Sequence, residues 1–139
     1  GVSQNVLVVE ELVGHELHEE QDGIVAVQEL RELGARDAIV TLPDGCIATL
    51  DVDGRPTLHR VWIEPREEIA TVGSGDAFLA GYVAARYAGR APDECLRYGV
   101  ACGAESTQHL GAGIIDVKGV DRLLAEISVE RIEAPAEAV

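Results

Sequence analysis

The stretch Thr71-Val72-Gly73-Ser74-Gly75-Asp76-Ala77-Phe78-Leu79-Ala80-Gly81 runs a glycine-rich turn directly into an apolar segment of helical period. Gly73 and Gly75 lift the Cβ restriction on φ and ψ, so the backbone can turn sharply and present its N–H groups to an anion. Gly75 in particular is expected in a conformation closed to residues with a Cβ. The amides fall at a helix amino terminus, where unpaired donors and the positive end of the dipole favour a phosphate or the charge of a phosphoryl-transfer transition state. Asp76 stands at the mouth of this pocket, suited to take a proton from an attacking hydroxyl. The same residues also fit a tight loop followed by an ordinary Asp cap.

The string from Thr71 to Tyr82, TVGSGDAFLAGY, resembles the signature of the ribokinase-like, phosphofructokinase B family of carbohydrate kinases: Thr, any residue, Gly-Ala-Gly-Asp, any residue, Phe. Ser74 stands where the family has Ala. The resemblance implies that Gly73, Ser74 and Gly75 form an anion hole, that Asp76 is the catalytic base, and that Thr71 lies with the nucleotide. It also implies an α/β fold, the ribokinase-like three-layer sandwich, of which this chain would be the C-terminal half: parallel strands with helices, plus a β-hairpin. Family members are about twice this length. Residues 1–132 are therefore expected to be the nucleotide-binding C-terminal part of such a kinase, and residues 133–139, rich in Ala, Glu and Pro, a frayed flexible tail. Loss of an initiator Met before Gly1, or a cleaved, excised or split chain, would each fit this length.

Composition narrows the partners. The 139 residues carry 25 acidic against 11 basic side chains, a formal charge of −14. Nucleic acid is a poor partner for such a chain. Phosphate binding would have to rest on backbone amides, helix dipoles or Mg²⁺. Cys46, Cys95 and Cys102 are odd in number and widely spaced, which reads as reduced thiols in a cytoplasmic protein. No apolar run approaches the roughly 18 residues of a membrane span.

Along the chain, Gln4 to Gly14 reads as a short helix capped by Asn5 and stopped by glycine. The family's comparable segment begins with Asn and carries a Glu three residues on that helps organise Mg²⁺ and phosphates; here Asn5 matches and position 8 is Val. His15-Glu16-Leu17-His18 is one residue short of the zinc-protease spacing and reads as a solvated loop, with no metal site expected. A helix follows from Glu20 to Leu33, with Ile24, Val27, Leu30 and Leu33 on one face and Gly34 as its stop. Asp37 to Leu42 reads as a buried parallel strand, and Pro43-Asp44-Gly45 as a turn.

Thr41 to Gly45 resembles the family's strand-end loop near the nucleotide phosphates, with Pro43 where Gly is usual. The resemblance carries a nucleotide role to Thr41 and Gly45; a plain strand-to-strand turn is the other reading. Cys46 to Val52 and Thr57 to Ile63 form a hairpin around Asp53-Gly54, with His59 and Trp62 as packing residues. A helix is expected from Ala77 to Tyr87, then another over Asp93 to Gln108 with Leu96, Gly99, Val100 and Gly103 at helical spacing. Its small residues would let a flat ring lie close, or let another helix pack closely. By resemblance Val100, Gly103 and Ala104 wall the adenine. Gly111 to Gly113 turns the chain towards a helix at Val120 to Ile127 and a strand at Val129 to Ile132.

The resemblance implies an ATP- and Mg²⁺-dependent phosphotransferase acting on a hydroxyl of a sugar or sugar phosphate, nearest in character to the 1-phosphofructokinase and tagatose-6-phosphate kinase branch. A nucleotide-binding module without catalysis, and a structural remnant associating through an exposed sheet edge, are the rival classes. Self-association or pairing with another chain is expected in each case.

Overall fold

The computed structural model describes residues 7–11, 19–42, 44–64, 74–108 and 116–132. Asn5, His15 to His18, Pro65 to Glu68, Thr71, Gly73, the glycines from Gly111 to Gly113 and the tail from Glu133 lie outside them. Five strands lie in one sheet in the order β1-β2-β3-β4-β5. By its internal packing the chain divides into two compact units, residues 1–60 with 130–139, and residues 61–129.

In the first unit, β1 (Leu7–Glu11) runs parallel to β2 (Asp37–Leu42), Leu7 opposite Asp37 and Glu11 opposite Thr41. The helix expected over Gln4 to Gly14 is therefore replaced, from Leu7 to Glu11, by a strand. Leu7, Val8 and Val9 are an apolar run of which the two valines are β-branched, and the ladder along β2 offers their backbone groups partners that a short helix does not. Helix α1 (Glu19–Glu32) follows. It ends at Gly34, whose φ of 111° puts it in the left-handed region. There Ala35 N–H donates to Leu30 O at 3.1 Å and Gly34 N–H to Arg31 O at 2.9 Å, the two bonds of a Schellman cap.

Strand β2 is buried along its whole length, as a continuously apolar run requires. Strand β3 (Gly45–Val52) runs antiparallel to it, with Leu42 pairing with Gly45. Gly45 is thus the first strand residue, not part of the turn. Strand β4 (Arg55–Ile63) returns across Asp53 and Gly54, with φ of 53° and 80°. Two successive positive φ values make a type I′ turn, whose twist matches that of the flanking strands. Val27, Ala38, Val40, Ile47 and Leu58 form the core of this unit. Polar groups pair at its edges: the Asp37 carboxylate accepts from Asp51 N–H at 3.0 Å, Arg36 Nε donates to Asp51 Oδ2 at 2.9 Å, and Arg60 Nη2 donates to Asp44 Oδ1 at 2.7 Å, while Asp51 Oδ1 is buried without a hydrogen bond among the described residues.

The second unit carries α2 (Ser74–Tyr87), α3 (Pro92–Ser106) and α4 (Val117–Leu124). Helix α2 starts three residues before the expected Ala77, because Ser and Asp are at home in a first helical turn. It closes at Gly89, φ 80°, with Arg90 N–H donating to Ala85 O at 3.1 Å. Strand β5 (Ile127–Ile132) takes Ile127 from the expected last helix.

Gly34 has open space around the position a Cβ would take, so its requirement is conformational alone. Gly34→Ala is expected to cost about 1 kcal/mol, lowering the melting temperature by about 3 °C in a thermal scan, whereas Gly34→Asn, tolerant of this region, should cost less.

Candidate active site

Helices α2 and α3 pack so closely that their glycines are filled by the neighbour. A Cβ on Gly81 would come within 2.9 Å of Cys102 Cβ and 3.2 Å of Tyr98 O, and one on Gly99 within 3.0 Å of the Phe78 ring. The link from Tyr87 to Pro92 is four residues, and Cys95 in the first turn of α3 lies beside the end of α2, its Sγ donating to Arg90 O at 3.6 Å and its thiol within reach of the Arg86 charge, so the pair is antiparallel. The amino-terminal turn of α2, with Gly75 and Asp76, consequently lies level with the last turns of α3, where Gly103 and Ala104 sit. These four expected site residues share one end of the helix pair. Asp76 is exposed there, and Gly75, Gly103 and Ala104 are half-buried.

Val100 lies one turn deeper and is buried. Gly99 serves close helix packing, so of the two readings of the small-residue face, packing takes this position. Ser74 is the first residue of α2, while Thr71 and Gly73 lie outside the described residues. Gly75 is in helical backbone within α2, and the described glycines with positive φ are Gly34, Gly54 and Gly89. The expectation of a conformation closed to a Cβ at Gly75 is thus corrected: its lack of a side chain, not an unusual φ, is what it brings to the amino end of the helix. Thr41, buried on β2, and Gly45, on β3, belong to the other unit, each beside the two-residue turn at the carboxyl end of β2.

Sequence reading passed over Glu105 and Arg97. Glu105 is buried in the last turn of α3, and a Cβ on Gly119 would overlap its carboxylate. Gly119 thereby admits a negative charge to the first turn of α4, the end of that helix where a carboxylate is stabilised. At the opposite end Arg97 Nη2 donates to Leu124 O at 2.7 Å and Nη1 to Glu94 Oε2 at 2.9 Å. Helix α4 is thus held to α3 by an anion at its amino end and a cation at its carboxyl end. An isolated Glu in a small-residue run carries no periodic signal; its apposition to a glycine twelve or more positions away is a tertiary fact.

Beneath this end of the pair, burial pushes the Cys102 thiol up to about 11, with the Glu105 charge adding to it. Burial pushes Cys46 up to about 12 and also raises Cys95, from an ordinary 9.0. None is a thiolate nucleophile at neutral pH. Among the described residues no group of three or more His, Cys, Asp or Glu could hold a metal ion. An ion bound mainly through phosphate oxygens and water, as Mg²⁺ commonly is, needs no such cage.

The motif and its placement are matched by relatedness. The family model described as pfkB family carbohydrate kinase matches residues 5–118. This chain belongs to the pfkB family of carbohydrate kinases. It is 26% identical over 132 residues to the 1-phosphofructokinase of Haemophilus influenzae, a match covering 95% of this chain and 42% of that protein. The solved structure of phosphofructokinase-2 from Escherichia coli in complex with potassium aligns with a TM-score of 0.71 at 25% identity, over 86% of this chain and 40% of that one. Arabidopsis thaliana ribokinase complexed with ribose and ATP aligns with a TM-score of 0.65 at 24% identity, over 86% and 40%. The fold is accordingly ribokinase-like, as the resemblance implied, and the chain spans about two-fifths of the length of the curated relatives it matches.

Two outcomes follow from this packing. Gly81→Val forces α2 from α3 and should destabilise by about 2 kcal/mol or more in urea unfolding, whereas Ala at the exposed Val83 should change little. The raised thiols stay protonated in the folded chain above pH 9 while the unfolded chain loses those protons, so stability present below pH 9 should fall progressively towards pH 11 to 12. Replacing Cys46 and Cys102 by Ala should flatten that fall, read as urea midpoints between pH 8 and 10.5.

Proposed function

We propose that this pfkB-family chain is the nucleotide-binding and proton-accepting part of an ATP-dependent kinase acting on a hydroxyl of a sugar or sugar phosphate. The observation that carries the reading is Asp76: an exposed carboxylate in the first turn of α2, next in sequence to Gly75 and level with the small residues Gly103 and Ala104. An acceptor hydroxyl within hydrogen-bond reach would give its proton to Asp76 as its oxygen bonds to the γ-phosphorus and the phosphorus–oxygen bond to the leaving ADP breaks. The backbone N–H groups of Gly73, Ser74 and Gly75, with the positive end of α2, stabilise charge on the transferring group. Gly103, Ala104 and the edge of Val100 accept the flat face of adenine in this reading; the family resemblance assigns Thr71, and in the other unit Thr41 and Gly45, to the nucleotide as well. When bound, ATP supplies the phosphoryl group, and Mg²⁺ neutralises the phosphate charge that a chain of formal charge −14 would otherwise repel.

Residues 1–132 form the nucleotide-binding part in this reading, working as a partial chain that pairs with another chain or with itself, the sheet edge being one route. Among the described residues no helix is long and apolar enough to cross a membrane, which together with three free cysteines fits a cytoplasmic setting. The 1-phosphofructokinase relatives make sugar phosphates the first substrates to test.

The test is calorimetry with MgATP on this chain, followed by turnover with a sugar-phosphate panel once it is joined to the portion its relatives possess and it lacks. Asp76→Asn is expected to leave nucleotide affinity within a few-fold and to cut kcat by about 10² or more. Gly75→Asp, which sets a second carboxylate at the amino end of α2, should weaken ATP binding by about tenfold. Equal turnover in Asp76→Asn would remove that residue from the mechanism, and no nucleotide binding by wild type would leave a structural remnant.

A further inference from the structure

Arg60, on β4, is a buried cation, 9% exposed. A guanidinium keeps its proton inside a protein, so burial obliges it to find acceptors. Two of them lie at the start of β3, well back along the chain: Arg60 Nη2 donates to Asp44 Oδ1 at 2.7 Å and Nη1 to Cys46 O at 3.3 Å. Asp44 and Cys46 are the two chain neighbours of Gly45, so one guanidinium brackets that glycine. Cys46 pairs in turn with Thr41, and Gly45 with Leu42, the last residue of β2. Arginine suits this task, because the arms of its planar fork reach separate acceptors at a fixed spacing. The hairpin at Asp53 and Gly54 has its register set by a type I′ turn, whereas Asp44 is not among the described residues of positive φ, so no type I′ turn joins β2 to β3. A side chain does there what turn chemistry does at the other end of β3.

We propose that Arg60 is a positioning residue for phosphate binding: by bracketing Gly45 it fixes the backbone at the carboxyl end of β2, against which the phosphates of a nucleotide would lie. This role rests on the kinase reading, which carries Thr41 and Gly45 to the nucleotide, and deepens it by naming the side chain that shapes this strand end. The carboxyl ends of parallel strands are where α/β sheets take their ligands, and β2 runs parallel to β1. Charge points the same way. The Asp44 side chain is one-third exposed, and without its partner it would set a negative charge at that strand end, opposing a triphosphate; pairing with Arg60 cancels it.

The whole chain is titrated with magnesium tripolyphosphate and MgATP by calorimetry, and with adenosine by ligand-observed NMR. Arg60→Met, which strands Asp44 and releases Gly45, should weaken tripolyphosphate and MgATP by about tenfold or more while adenosine binding stays within about twofold. Arg60→Lys keeps the charge but cannot bracket Gly45, and about fivefold weakening of tripolyphosphate is expected. Circular dichroism and urea unfolding establish which variants are folded, and the lysine variant serves where the methionine one is not. Tripolyphosphate binding at wild-type strength by a folded Arg60→Lys or Arg60→Met chain would overturn the positioning role and leave the kinase reading standing. Equal loss of adenosine and tripolyphosphate, the mark of general damage, would overturn it too. A wild-type chain that binds neither MgATP nor adenosine refutes the kinase reading itself, and the positioning role with it.

Discussion

The distance between α2 and α3 is the constraint on which the second unit depends. Gly81 and Gly99 have no side chains, and each void is taken up by the other helix: Cys102 and Tyr98 over one, the Phe78 ring over the other. Antiparallel contact at this range sets the two helices in register. That register carries Asp76 to the level of Gly103 and Ala104. It also seals Cys102 away from water, which is why its thiol is held protonated well above its ordinary value. A methyl group at either glycine would separate the helices and shift the Asp76 carboxylate relative to Gly103 and Ala104.

Charge is handled locally in a chain whose overall balance is adverse to its ligand. Arg60 is nearly buried between Asp44 and the Cys46 carbonyl, offsetting an acid in the turn that follows β2. Glu105 is turned towards the first turn of α4 and Arg97 towards its last carbonyl, each sign at the helix end that stabilises it. Thr57 donates to Leu50 O while its hydroxyl also lies 2.7 Å from His59 Nε2, so the histidine in β4 belongs to the hairpin's packing. Lys118 is the single lysine in the sequence, so on the kinase reading proposed above a phosphate would fall to backbone amides at the head of α2.

The reach of the sequence is best seen in particular elements. Asp53-Gly54 between two β-rich runs, Gly34 after an amphipathic period, and the continuous apolar run from Ala38 to Leu42 have local causes, and each became the expected turn, cap or strand. Leu7 to Glu11 misled, because Glu10, Glu11 and a following glycine imitate a helix end, whereas the deciding partner, β2, lies about thirty residues on. Gly75 misled differently. Its neighbours suggest a turn, and the helix begins one residue before it.

The sequence by itself determined the family, because the motif between Thr71 and Gly81, two glycines, an acid and a helix start, is contiguous and needs no distant partner. Only the tertiary structure decided which small residues pack a helix and which remain open, that Glu105 and Gly119 meet, and that Arg60 reaches back to Asp44. Those outcomes depend on side chains far apart in sequence competing for the same space, and close packing, unlike periodicity, leaves no mark on the local order of residues.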